Sequence, residues 1–127
     1  MRLLNILQTL TILPPAIRHL LLIKRQLKNT AYQNLIQQKY SGNNTEQSID
    51  NIVKSYFWAC RLINKCQCLP RSIALYQNLN AAGYTVKHKF GVNKQQAELK
   101  AHAWVEYKNK ALNEADDLLT KFKVLDK

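Results

Sequence analysis

A regular apolar stripe marks the clearest helix of this chain. Its positions recur at intervals of three and four residues, and they are Ile49, Ile52, Val53, Tyr56, Phe57, Cys60 and Ile63. Such spacing places them on one face of an α-helix that buries that side. Asn44, Thr45 or Ser48 can cap its start, and we expect it to end near Asn64.

Two more helices are predicted before this one, over residues 3–13 and 14–40. Pro14 and Pro15 separate them, because proline suits the first turn of a helix and disrupts its interior. The Ser-Gly-Asn-Asn composition of residues 41–44 indicates a loop after the second helix.

A fourth helix is predicted to begin at or just after Cys68, because Pro70 suits an early helical position. It runs to about Ala82, and Gly83 is a suitable residue to end it.

Alternation of apolar and polar residues predicts a small antiparallel sheet after the helices. The strands cover residues 84–90, 99–107, 111–114 and 120–125. Residues 93–98 form the predicted loop, and residues 108–110 a tight turn. The result is an α+β fold, with a helical extension over 1–45 and a second unit over 46–127.

The charge is large and unevenly distributed. Nineteen Lys and Arg against eight Asp and Glu give 127 residues a net charge of +11, and residues 1–45 carry six basic residues and no acidic one. Such an excess attracts polyanions. The excess is either a solvated surface or a docking face for an acidic leader or partner protein, or it makes a peripheral contact with a membrane surface through residues 1–40. We expect no nucleic acid, because no helix-turn-helix, zinc-finger or aromatic RNA-binding motif is present.

Three cysteines bear on the compartment: Cys60, Cys66 and Cys68. Their odd number argues against a disulfide framework. The first thirteen residues begin like a signal peptide, but polar residues interrupt them and no cleavage site follows. The apolar runs are too short to span a membrane. We therefore expect a reducing, cytoplasmic setting, with Cys60 in the core.

The candidate chemistry is that of a cysteine nucleophile. The partial positive charge of a helix N-terminus favours a thiolate there, and Cys68 is predicted at such a position. His102 lies on a predicted strand between two alanines, where it can face that helix as a base. A carboxylate can orient the imidazole, and Glu114 is placed for this, with Asp116 as the alternative. This order of residues is that of papain-like and transglutaminase-like cores, in which a catalytic helix packs on a small antiparallel sheet.

A zinc site is the other use of these residue types. Cys66, Cys68, His88 and His102 supply four donors, but their spacing lacks the paired pattern of zinc ligands. We expect neither a metal nor another cofactor, and we expect His88 to be a structural strand residue.

Three blocks carry a resemblance to a known family. They are CLPRSIAL at 68–75, AHAWVE at 101–106 and LNE at 112–114. In this order they resemble the transglutaminase-like leader peptidase of lasso peptide biosynthesis, over about residues 50–125.

The resemblance implies a cysteine peptidase that removes the leader from a ribosomally made precursor peptide. It makes Cys68 the nucleophile and His102 the base, and it places Glu114 where the family usually has aspartate, so that Asp116 stays an alternative. Trp104 either shapes the substrate groove or covers the core.

The resemblance also implies partners. The chain is similar to the split form of the family, which implies a separate leader-recognition protein and a later ATP-dependent lasso cyclase. There are two alternatives. The chain is an acyl transferase on the same fold, or it is a non-catalytic basic protein that binds peptide, membrane or nucleic acid.

Overall fold

A computed structural model describes residues 2–40, 48–63, 67–95, 98–114 and 123–124. The helices in these ranges are α1 (Arg2–Gln26), α2 (Tyr32–Gln37), α3 (Ile49–Leu62) and α4 (Cys68–Ala81). The strands are β1 (Val86–Gln95), β2 (Glu98–Tyr107), β3 (Lys110–Ala111) and β4 (Lys123–Val124). All strand pairs are antiparallel, in the order β3-β2-β1-β4. The predicted α+β class is confirmed.

The first helix runs through both prolines, so the predicted boundary at Pro14 and Pro15 is wrong. A proline inside a helix removes a backbone hydrogen bond and costs about 3 kcal/mol. Three later residues of the same helix, Ala16, Leu20 and Ile23, are fully buried in the core. Because tertiary packing supplies most helical stability, this burial maintains α1 until Gln26.

The ends of α3 and α4 follow local rules. The Ser48 hydroxyl accepts a hydrogen bond from the Asn51 N–H at 3.2 Å, so Ser48 is the cap, whereas Asn44 and Thr45 lie outside the described residues with the predicted 41–44 loop. Gly83 follows α4 with a φ of +98°, and nothing lies within 4 Å of a Cβ added there. The positive φ, and not a lack of space, therefore favours glycine.

The central hairpin is longer than predicted. Its pairing runs from Val86 opposite Tyr107 to Gln95 opposite Glu98, so the predicted loop over 93–98 is wrong. Backbone pairing does not need an apolar side chain at every position, and the polar residues there concealed the strand ends.

The turn between β2 and β3 is tight, as predicted. Lys108 and Asn109 both have positive φ, as in the tight turns that join two antiparallel strands.

The later strands are shorter than predicted. β3 contains only Lys110–Ala111, and β4 contains only Lys123–Val124, with the neighbouring residues 115–122 and 125–127 outside the described ranges. One backbone bond continues the pairing after β3, because the Leu112 N–H donates to the Val105 carbonyl at 2.9 Å.

The helices and the sheet share one hydrophobic core. Its large members come from every helix and from β2, and they include Leu20, Ile23, Leu35, Tyr56, Ile73, Leu79 and Val105. α4 lies between the other helices and the sheet, since it contacts α1, α2 and α3 as well as β1 and β2. Among the described helices, none has the length and apolarity to cross a membrane.

A buried polar cluster ties three helices together. His19 of α1 bonds Tyr56 of α3 through Nδ1 at 2.6 Å and Gln77 of α4 through Nε2 at 2.7 Å. The amide of Asn78 donates to the Tyr56 hydroxyl at 2.9 Å, and the ring of Tyr40 stacks on His19 at 3.8 Å. Burial lowers the pKa of His19 to about 4 against the opposing effect of the Gln77 bond, so this imidazole is neutral at pH 7.

Cys60 is buried near the end of α3, as expected, but it is disulfide-bonded. The odd cysteine count argued against a disulfide framework, and the structure nevertheless contains a disulfide at Cys60. The reason is spatial, because an odd cysteine count says nothing about which pair folding brings together. The Cys60 sulfur lies 3.9 Å from the carbonyl oxygen of Gln67, so the disulfide is next to the start of α4. Cys68 is the free cysteine of the described residues, and Cys66 lies outside them.

Candidate active site

The cysteine predicted as nucleophile is the first residue of α4. Gln67 precedes it in extended conformation and makes no side-chain cap, and the Cys68 thiol is free and partly exposed. The first N–H groups of a helix have no partner inside it, so they and the helix dipole favour negative charge at this point. The position is therefore suited both to a thiolate and to an oxyanion that forms next to it.

The imidazole predicted as base is hydrogen-bonded to a carboxylate. His102 lies near the middle of β2, and its Nε2 is 2.7 Å from Oε1 of Glu114. Glu114 follows β3, and the positive φ of Asn113 turns the chain just before it. A carboxylate only accepts, so Nε2 carries the proton and Nδ1 is the basic nitrogen of the neutral ring. Asp116, the alternative acid, lies outside the described residues.

Arg71 extends this pair towards the cysteine. Its Nη2 lies 3.9 Å from Oε2 of Glu114, so the carboxylate lies between the imidazole and a guanidinium. Burial lowers the pKa of Arg71, while the charges of Glu114 and Cys68 act in the opposite direction. Arginine stays protonated in proteins, so Arg71 is a partly buried cation next to Glu114.

The guanidinium of Arg71 also has an aromatic support. Its central carbon lies 4.0 Å from the centroid of the Phe57 ring of α3. A planar guanidinium stacks well on such a face, which restricts its orientation. Phe57 thereby helps to aim Arg71 at Glu114. The described contacts link His102 with Arg71 of α4 through Glu114, and Arg71 lies three residues after Cys68 on that helix.

Trp104 supports the imidazole from the same face of β2. Its ring stacks on His102 with centroids 5.8 Å apart, and its Nε1 donates to Oε2 of Glu106 at 3.2 Å. Only 1% of Trp104 is exposed. Its role in a substrate groove stays a prediction.

A second hydrogen-bonded pair, Ser72 with His88, was not predicted from the sequence. The Ser72 hydroxyl donates to the Leu69 carbonyl at 2.9 Å and lies 2.8 Å from Nε2 of His88. Since a hydroxyl has one proton, it then accepts from His88, and this bond ties β1 to the first turn of α4. Arg71 was also given no role, although an arginine one turn after a candidate nucleophile was a visible signal.

No group of three or more His, Cys, Asp or Glu side chains within the described ranges is arranged to hold a metal ion. His88 and His102, two of the four zinc donors considered, instead bond to Ser72 and Glu114.

The comparisons with known proteins give one match. A family model described as the transglutaminase-like superfamily matches residues 10–127. No curated protein and no solved structure matches the chain.

Proposed function

Because this chain belongs to the transglutaminase-like superfamily, we propose that it is a cysteine peptidase that removes the leader of a ribosomally made precursor peptide. The superfamily supports a peptidase or an acyltransferase, generally with a Cys-His-Asp triad. The finer assignment to lasso peptide maturation is supported by the resemblance of the three sequence blocks. The observation that carries the proposal is the 2.7 Å bond of His102 to Glu114, with Arg71 joining that carboxylate to the helix start at Cys68.

The proposed reaction begins with proton transfer from the Cys68 thiol to Nδ1 of His102. The thiolate attacks the carbonyl carbon at the leader–core junction, and a tetrahedral oxyanion forms. Backbone N–H groups at the start of α4, including that of Cys68, stabilise this oxyanion. Glu114 stabilises the imidazolium through Nε2.

The second half of the reaction releases both products. The imidazolium of His102 protonates the leaving nitrogen, the C–N bond breaks, and the core peptide leaves with a new amine. The leader remains on Cys68 as a thioester. Water then gives a proton to His102 and attacks the thioester, which releases the leader as an acid and regenerates the thiol. One water is consumed for each peptide bond cleaved.

The proposal includes partners that supply and use the peptide. A separate small leader-recognition protein presents the precursor, and an ATP-dependent lasso cyclase joins the new amine to an acidic side chain of the core. The six basic residues in positions 1–45 favour an acidic partner or a peripheral membrane contact over a neutral one. We place the reaction in the cytoplasm, where ribosomal precursors are made, although disulfides such as that of Cys60 are rare there.

Mass spectrometry tests the proposal directly. A precursor peptide encoded next to this gene is incubated with the protein and the leader-recognition protein, in parallel with a Cys68→Ala control. We expect cleavage at one junction by the wild type alone, with the leader product gaining the mass of one hydroxyl. A leader product that carries an added amine instead would indicate acyl transfer. Absence of any conversion by folded protein would overturn the enzymatic proposal and favour a binding role.

A further inference from the structure

A shallow groove adjoins the candidate active site on the side of α3. It is lined by Lys54, Phe57, Trp58, Arg61 and Asn113, with a volume of about 170 Å³. An enclosed protein cavity of about 150 Å³ holds a benzene-sized group. The groove therefore suits one large side chain of an extended peptide and is too small for a folded partner.

The groove carries an exposed tryptophan beside an arginine. Trp58 is 52% exposed, and the guanidinium carbon of Arg61 lies 5.4 Å from the centroid of its ring. Leu62, the next residue after Arg61, is 62% exposed. Tryptophan and arginine are the residues that most often dominate binding energy at interfaces. An exposed pair of this kind on one helix indicates a contact surface.

The charges of the groove select the class of ligand. Lys54 and Arg61 are cations, and no carboxylate is among the described residues that line it. Asp50, the nearest acid along α3, lies one turn before Lys54 and outside the lining. The groove thus favours a negatively charged segment with an aromatic or large apolar side chain.

The groove is physically continuous with the site. Phe57 lines it and also supports Arg71, whose guanidinium carbon is 4.0 Å from the ring centroid. Asn113 lines it and directly precedes Glu114, the residue bonded to His102. A larger cavity of about 390 Å³ lies instead at the far end of β2, near Gly83. Its connection to the site is indirect, because Glu106 in its lining accepts a hydrogen bond from Trp104, which stacks on His102.

We propose that this α3 groove binds an acidic segment of the substrate peptide while the scissile bond lies at Cys68. The inference rests on the proposed function and names the class of substrate sequence that the site selects. Trp58 packs against an aromatic or apolar side chain of that segment, and Lys54 and Arg61 pair with its carboxylates.

Fluorescence anisotropy with two defined probes tests this inference. One is a fluorescein-labelled ten-residue peptide of alternating glutamate and tyrosine, and the other has lysine in place of glutamate. Both are titrated with the Cys68→Ala protein, which cannot consume them. We expect the acidic probe to bind at least about tenfold more tightly, with an affinity that falls as salt is added.

Matched variants locate the binding. Lys54→Glu with Arg61→Glu should raise the Kd of the acidic probe about tenfold or more, and Trp58→Ala should raise it about as much. The control variant replaces Lys108 and Lys110 with glutamate. Both are exposed lysines outside the groove, so this variant changes the net charge by the same amount. It should alter the Kd by about twofold at most, because it removes only general attraction.

Cleavage kinetics separate the two proposals. With precursor as substrate, Lys54→Glu with Arg61→Glu should raise KM about tenfold and leave kcat within about twofold, because binding and not chemistry is changed. If the Lys54 and Arg61 variant keeps the KM of the wild type, the groove proposal is overturned. An equal rise of KM in the Lys108 and Lys110 control would also overturn it. Neither result would affect the proposed function. A wild type that does not cleave would overturn the proposed function, whatever the binding data show.

Discussion

Nε2 of His102 and Oε1 of Glu114 lie 2.7 Å apart, although twelve residues separate them in the chain. The β2–β3 turn and the bend at Asn113 return the chain along β2, which brings the carboxylate to the imidazole. The superfamily generally has the shorter aspartate as the acid of its triad. Glutamate reaches hydrogen-bond distance here, so the departure from the pattern preserves the contact.

Glu114→Gln should lower kcat on the order of 100-fold or more, because a neutral amide neither enforces the Nδ1-basic tautomer nor stabilises the imidazolium. Asp116→Asn is the matched control and should retain activity within about twofold. Single-turnover cleavage of the precursor measures both. A large loss at Asp116 with none at Glu114 would assign the orienting role to the other acid.

Arg71→Met should lower kcat on the order of tenfold, because Glu114 loses the cation that lies 3.9 Å from its Oε2. Arg71→Lys keeps the positive charge and should retain more activity than Arg71→Met. Single-turnover cleavage of the precursor measures both variants. Equal losses in the two would indicate that the charge of Arg71 does not matter for the reaction.

Acidification should destabilise the protein through His19. Its folded pKa of about 4 lies below the unfolded value of 6.5, so the unfolded chain binds the proton more readily between these values. The free energy of unfolding should therefore fall as the pH drops from 7, by on the order of 2 kcal/mol at pH 5. Urea unfolding of the wild type and of His19→Gln at both pH values measures this. An equally steep fall in the variant would assign the effect to other groups.

Thiol counting should detect the disulfide of Cys60. The chain has three cysteines, so one disulfide within it leaves one reactive thiol, that of Cys68, in denatured but unreduced protein. Reduction should raise the count to three, and Cys68→Ala should show none before reduction. Three thiols in unreduced protein isolated from cells would mean that the disulfide does not form there.

Local features of the fold were predictable from the sequence. The α3 stripe, a side-chain cap among Asn44, Thr45 and Ser48, and the glycine at 83 each depend on residues within one or two helical turns. A periodic apolar face, a side-chain cap and a positive φ are set by nearby atoms, so neighbouring residues suffice to predict them.

Elements that depend on distant partners were predicted less well. Pro14 and Pro15 do not end α1, because residues after them are buried against other helices. The hairpin extends to Gln95 and Glu98, because each polar strand end pairs with the other. The disulfide of Cys60 likewise depends on a meeting of chain segments that spacing does not reveal.

For the candidate site, the sequence by itself named Cys68, His102 and two acids, because nucleophile, base and orienting carboxylate are limited to a few residue types. Tertiary structure brought Glu114 to His102, added Arg71 to that carboxylate and placed Phe57 beneath the guanidinium. These contacts join α3, α4, β2 and the segment after β3. Hydrogen bonds and ring contacts act over only a few ångströms, so the partners are decided by how distant segments pack.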